Sequence, residues 1–309
     1  MSRYVVMGAG STGLAVAAQL AEEGVPVRQI TRSGTGLDHP LVERVAADAL
    51  DVERLTGLVR GAEALINCAM PPYHRWITDV PPLAAALLTA AERTGTGYVM
   101  LGNLYGYGHV ETPLIEDLPM APVAAKGEVR ARMWLDALAA HEQGRVNVTE
   151  VRAASFLGEG TVGTFSLFIA PQVLAGRPAA YPGRLDVPQS WSYVGDVAAT
   201  LVAAARDPRS WGRAWHAPAT ANLPARELTE RFAELTGSPA PQLSRLDRAA
   251  LLDLAQGEPI YGELVEMLYA TENPHVLDST GTERALGLTP TGLDEALLAT
   301  ARGLTGGGR

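Results

Sequence analysis

Residues 4–36 read YVVMGAGSTGLAVAAQLAEEGVPVRQITRSGTG, and this stretch decides the fold. An apolar run, Tyr4 to Met7, enters the turn Gly8-Ala9-Gly10-Ser11-Thr12-Gly13. An alanine-rich helical stretch follows to about Glu23, and Val25 to Ile30 forms a second apolar run. Strand, glycine turn, helix and strand in this order make up a dinucleotide-binding unit. Gly8 permits the tight turn, Gly10 lets a pyrophosphate approach the backbone, and Gly13 lets the helix pack close to the strand. The helix N-terminus, with Ser11 and Thr12 in its first turn, offers free N–H groups and a partial positive charge to phosphates.

The tip of the second strand bears on which dinucleotide is bound. An NAD site usually places Asp or Glu there for the ribose 2′-hydroxyl, whereas an NADP site uses arginine. Here the tip is Thr31-Arg32-Ser33, without a carboxylate. A guanidinium can bind a 2′-phosphate bidentately. Arg32 is the first candidate and Arg28 the second, and the expected cofactor is NADP(H).

Composition narrows the classes. A chain of 309 residues, 47% hydrophobic and 19% charged, can bury one large core or two small ones. Its net charge of −9 and lack of a basic patch argue against nucleic acid as a partner. The single cysteine, Cys68, excludes an intrachain disulfide and favours a reducing compartment. No signal-peptide pattern precedes the first strand, and apolar runs such as Leu83 to Ala91 are far short of a bilayer span. A cytoplasmic protein with no membrane partner is expected. Six scattered histidines, with no HxxxH or CxxC pair, imply no metal site, and the absence of G-x-S-x-G leaves a hydrolase triad unsupported.

Strand and helix patterns alternate through the first half, predicting a doubly wound parallel sheet of Rossmann type. Helices are expected at about 52–60, Pro81 to Thr94 and Ala124 to Gln143, with strands at Ala64 to Cys68, Tyr98 to Leu101 and Val146 to Phe156. The second half reads as mainly helical, with 178–188 as loop and one helix over Asp247 to Leu268. We expect a dinucleotide-binding domain over 1–164 plus about 190–218. About 165–189 plus 219–309 would form a smaller substrate-binding cap, with the tail from Gly303 frayed. In such folds the ligand crevice lies at the carboxyl ends of the strands.

The chain resembles the extended short-chain dehydrogenase/reductase family, in its NAD(P)-dependent epimerase/dehydratase group, over nearly its whole length. GAGSTG, AADALD (46–51), YVMLGNLYGYG (98–108), TPLIEDLPMAP (112–122), VRAASFLGEG (151–160) and WSYVGDVA (191–198) carry the resemblance. It implies that Asp48 contacts the adenine, that Ala69 and Met70 run beside the nicotinamide ribose, and that the protein is a homodimer. The family's catalytic Ser or Thr falls on Asn103. Its Tyr-x-x-x-Lys, read without a gap, falls on Lys126 and Arg130; a gapped reading puts Lys126 on the family lysine and Pro122 on the tyrosine.

Lys126 is the only lysine among 25 basic residues. An ammonium can lose its proton when crowded by another cation, and Arg130 lies one helical turn away on the same face. On this reading Arg130 pushes Lys126 toward deprotonation, and Lys126 donates the proton. Tyr105 and Tyr107, on the loop after the fifth strand, compete for that role, and Asn103 could hydrogen-bond a substrate oxygen. Met70, Tyr73, His74 and Trp76, with Phe156 and Trp191, are candidate pocket residues, and Asp196 reads as a helix N-cap.

The leading expectation is an NADP-dependent reductase acting on a carbonyl, imine or activated alkene of a small, mostly apolar molecule. A redox-neutral epimerase, dehydratase or cyclase on the same scaffold is the second. A non-catalytic NADP-binding sensor is the third, kept open by loss of the family Tyr and Ser. The cap has no charge cluster, which argues against nucleotide sugars as substrates.

Overall fold

Strand β1 (Tyr4–Met7) is buried along its whole length, as an unbroken apolar run must be when helices cover both faces of its sheet. It sits in a seven-stranded sheet with β2 (Val27–Thr31), β3 (Val42–Ala46), β4 (Ala64–Asn67), β5 (Gly97–Asn103) and β6 (Val148–Ala153). Arg213–His216 forms the seventh strand, at the edge beside β6. The order is β3-β2-β1-β4-β5-β6 and then this edge strand, with every neighbouring pair parallel. The computed structural model describes residues 4–306, so the final residues of the expected frayed tail, 307–309, lie outside the described residues. Within them the last helix runs from Leu293 to Thr305.

Helices cover both faces. Helix α1 (Ser11–Glu22) and the helix Val194–Arg206 bury Val16, Leu20, Val197 and Leu201 against one face. Helices α2 (Val52–Val59), α3 (Trp76–Thr94) and α4 (Ala125–Glu142) bury Leu55, Leu87, Trp134 and Ala137 against the other. This is the expected doubly wound Rossmann architecture. Strand order reverses between β1 and β4, and the crevice opens there, beyond the carboxyl ends of the strands.

Several boundaries differ from the sequence reading. Helix α3 starts at Trp76 rather than Pro81, because the turn Tyr73–Arg75 feeds straight into it. Pro81 and Pro82 are tolerated since the Ile77 and Thr78 stretch they leave without amide donors is exposed. The run Val146 to Phe156 breaks at Ala154, and Ser155–Leu157 leaves the main sheet to pair with Pro188–Tyr193. Residues 178–188, expected as loop, contain the strand Ala179–Pro182, paired in parallel with Leu243–Leu246. Residues 247–268 form short helices, Arg248–Leu254 and Ile260–Val265, rather than one long helix. A separate apolar cluster around Phe165, Tyr181, Trp191, Phe232 and Leu297 holds this second region together. Among the described residues no helix is long and apolar enough to cross a membrane.

Candidate active site

The glycine turn has the shape its sequence requires. Gly8 has φ +102°, a backbone conformation that side chains disfavour, and a Cβ there would stand 2.9 Å from the Ala69 nitrogen. At Gly13 a Cβ would meet the Gly8 carbonyl oxygen at 2.4 Å, so only glycine lets α1 approach β1 this closely. Gly10 differs: it has an ordinary extended backbone, and nothing lies within 4 Å of where its Cβ would be. That open space faces the first turn of α1, which has no side-chain cap and no acidic residue. The N–H groups of Ser11, Thr12 and Gly13 therefore have no intrahelical acceptor. The arrangement fits an anionic pyrophosphate.

The flanking strand ends converge on this turn. Gly8 N donates to Ile30 O at 2.9 Å, and Cys68 N to Met7 O at 2.9 Å, so the tips of β2 and β4 border the same crevice. Arg32 is exposed just past β2. Arg28, the second candidate for a 2′-phosphate, is committed to Glu43 and the Leu58 carbonyl. Exposed Asp48 accepts from Leu50 N, and the neighbouring Ala47 N donates to Thr31 O. Asn67 Oδ1 accepts from Ala69 N at 3.0 Å and fixes the β4 exit. One residue that sequence reasoning passed over holds the turn from behind. Gln29, fully buried, donates through Nε2 to Gly8 O and Gly13 O and accepts from Leu37 N.

Beyond the strand ends lies a cleft of about 490 Å³. It brings together Met70, Tyr73, Asn103, Tyr105, Arg130 and Phe156 from the sequence-predicted set, with Trp76 beside them. Asn103 Oδ1 accepts from Tyr105 N at 3.2 Å and shapes the turn that presents Tyr105. Burial raises the Tyr105 phenol above its ordinary pKa, opposed by its Tyr73 partner and by the charges of Lys126 and Arg130. Tyr105 is therefore protonated at neutral pH. Arg130 is buried, donates to the Leu101 carbonyl, and stacks 5.9 Å from the Trp76 ring centroid. Burial draws its pKa down, and its Nε has no hydrogen-bond partner among the described residues.

Lys126 does something other than expected. Its ammonium does not line the cleft; it is buried between Glu263 and Glu266, on and just after the helix Ile260–Val265, and sits 4.6 Å from the Tyr73 ring centroid. Burial alone would favour the neutral amine, but the hydrogen bonds that the ammonium donates to the two carboxylates carry the pKa above its usual value. The expected deprotonation driven by Arg130 is thus reversed: the lysine stays charged and ties α4 to the helix Ile260–Val265. Lys126→Met should leave two carboxylates facing each other without a cation. A loss of about 1.5–3 kcal/mol is expected, the range for a hydrogen bond to a charged group. Urea denaturation reads it, and an unchanged midpoint would show that the tie carries no stability.

Other candidates lie away from the cleft. Tyr107 is fully buried, with its hydroxyl bonded to Arg152 and, at 2.7 Å, to His216 Nε2. Arg152 pairs with Glu150 at 2.7 Å, and His216 Nδ1 reaches the Asp278 carbonyl at 2.9 Å, so Tyr107 belongs to a satisfied core network. Trp191 packs against Phe165 in the second core, and its Nε1 donates to Leu223 O. His74 is exposed on the Tyr73–Arg75 turn and does not line the cleft. Asp196 is no N-cap; Tyr193 precedes the helix, and the Asp196 carboxylate instead binds the backbone and hydroxyl of Thr291. Among the described residues no three His, Cys, Asp or Glu side chains are grouped to hold a metal ion.

The chain matches the model of the NAD dependent epimerase/dehydratase family over residues 4–216. Among solved structures it resembles a dTDP-glucose 4,6-dehydratase from Bacillus anthracis in complex with NAD, with TM-score 0.80 and 16% identity over 99% of this chain and 97% of that one. It also resembles the Bordetella bronchiseptica enzyme WbmH in complex with NAD+, with TM-score 0.78 and 19% identity over 100% of both chains. A UDP-glucose 4-epimerase from Thermotoga maritima, with UDP-glucose, superimposes with TM-score 0.77 at 16% identity over 98% of each chain. No curated protein sequence matches it. At these identities the structural likeness speaks to the fold.

Proposed function

Since the chain belongs to the NAD dependent epimerase/dehydratase family, we propose that it is an NADP(H)-dependent reductase. Its substrate would be a carbonyl, imine or activated alkene of a small, mostly apolar molecule. The observation that carries this reading is the makeup of the cleft: mostly apolar walls with neutral polar groups, the cation Arg130, and the protonated phenols of Tyr73 and Tyr105. When bound, NADP(H) supplies the hydride for such a reduction. The first turn of α1 would hold the pyrophosphate, Arg32 the 2′-phosphate, and Asp48, Ala69 and Met70 the rest of the dinucleotide.

Tyr105 takes the proton-donor role on this reading, because the residue lines the cleft whereas the Lys126 ammonium is spent on two carboxylates. Arg130 stabilises negative charge that develops on the substrate. A redox-neutral epimerase, dehydratase or cyclase is the second reading, and the family match favours it. NADPH consumption against a panel of small ketones, aldehydes and imines separates the two. No consumption across the panel, with cofactor bound, sinks the reductase.

Cofactor preference is tested on its own. NADP(H) should bind at least ~10-fold more tightly than NAD(H), about 1.4 kcal/mol, in calorimetric titration. Arg32→Ala should erase most of that gap, and tighter NAD binding by the wild type would overturn the assignment. A homodimer through α3 and α4 is supported by an apolar groove between them lined by Ala84, Leu88, Val129 and Met133, and sedimentation would test it.

A further inference from the structure

The sheet wall of the cleft carries Arg130 and Tyr105; the cap wall carries His275. His275 lies on a short extended segment pinned to the strand Pro188–Tyr193. Its N–H donates to Pro188 O at 3.0 Å, and its carbonyl accepts from Ser190 N at 3.1 Å. The backbone therefore holds the imidazole in place. Yet its Nε2 is buried and has no hydrogen-bond partner among the described residues. His216, a fully buried imidazole, by contrast has both ring nitrogens bonded. Buried polar atoms in folded proteins are nearly always satisfied, so an unpartnered one on a cavity wall points to a ligand that completes it.

The chemistry of that ligand follows from the surroundings. Burial, with repulsion from His109, pulls the His275 pKa down to about 4, so the ring is neutral and offers one donor and one acceptor nitrogen. The neighbouring Gln189 Nε2 is already used on the Asn273 carbonyl. Met267, Leu264 and Ala270 make the rest of this wall mostly apolar, and the Thr271 hydroxyl beside them is used on the Leu268 carbonyl. Among the described residues Arg130 is the only cation lining the cleft, which leaves a diphosphate there without a second counter-charge.

We propose that His275 is a substrate-binding, specificity-determining residue that hydrogen-bonds a neutral hydroxyl or amide of the substrate at the cap wall. The substrate class is then an amphipathic carbonyl compound, with its reacting group toward Arg130 and Tyr105, and not a nucleoside diphosphate sugar. The proposal rests on the reading of this cleft as the reductase's substrate site.

Two ketones that differ by one hydroxyl, 4-(4-hydroxyphenyl)-2-butanone and 4-phenyl-2-butanone, test it against the NADPH-loaded enzyme, with UDP-glucose as comparator. Binding is read by calorimetry and turnover by NADPH consumption. Wild type should bind the hydroxylated ketone at least ~10-fold more tightly, with the difference in KM rather than kcat. His275→Leu should abolish the preference without lowering the melting temperature, and His275→Gln should restore part of it. Equal binding of the two ketones, binding of neither, a preference that survives His275→Leu, or tight binding of UDP-glucose overturns the inference. Discrimination in binding without any NADPH consumption leaves His275 in its role and removes the reductase reading; consumption without discrimination does the reverse.

Discussion

Gly10→Val is expected to abolish dinucleotide binding while the fold survives. Gly10 has φ −72° and ψ 179°, a conformation that valine adopts without strain, and its Cβ would enter space with no atom within 4 Å. The isopropyl group would stand in front of the N–H groups of Ser11 and Thr12, where phosphate oxygens need to come. NADPH affinity should fall at least ~100-fold, about 2.7 kcal/mol, in calorimetric titration, with the melting temperature nearly unchanged. Gly13→Val is the contrast. Its Cβ would meet the Gly8 carbonyl oxygen at 2.4 Å, so α1 must move off β1 and the protein should melt earlier. Undiminished NADPH binding by Gly10→Val would mean that the turn is not the phosphate cradle. A melting loss as large as that of Gly13→Val would make Gly10 a packing residue.

The architecture was legible because it is written in local pattern. Strand β1, the glycine turn and α1 are contiguous, and each uses a short-range rule: an apolar run, a positive φ at Gly8, and close packing at Gly13. The side chains of the cleft were harder to read, since their roles depend on partners far away in sequence. Lys126 stood out by rarity, but Glu263 and Glu266, 137 and 140 residues further on, decide its charge. No local pattern pairs those positions. Tyr105 and Tyr107 looked equivalent, yet on the short turn Tyr105–Tyr107 residues two apart point to different sides. One reaches the cleft and the other the Arg152 network. Arg152 and Glu150 sit on a strand that is buried along its whole length, and such a pair within a buried run is itself a sequence signal of a core network. His275 and Gln29 gave no signal, because an isolated polar residue reads alike whether it faces solvent, backbone or a cavity.

Arg130→Met is the variant expected to separate catalysis from stability most sharply. The Arg130 guanidinium is buried with a single carbonyl acceptor, an unpartnered Nε, and the sulfurs of Met70 and Met133 at 3.8 and 3.7 Å. Desolvating a charge so incompletely paired is costly, and replacing it with an apolar group of similar length is often neutral or stabilising. The change leaves no orphaned carboxylate, since Glu150 keeps Arg152 at 2.7 Å. The melting temperature should therefore hold or rise. Turnover should fall by roughly 10²–10³-fold, the loss that follows removal of one donor aimed at developing negative charge. Tyr105→Phe should cost roughly 10²–10⁴-fold, as expected for a positioned proton donor. The double variant should lose less than the product of the two, because both act on the same developing charge. NADPH affinity measured alongside tells where Arg130 acts: nearly unchanged if it faces the substrate, clearly weakened if it instead holds the nicotinamide ribose, as the family lysine position implies. A lower melting temperature with intact turnover would make Arg130 a structural residue and leave Tyr105 without its electrostatic partner.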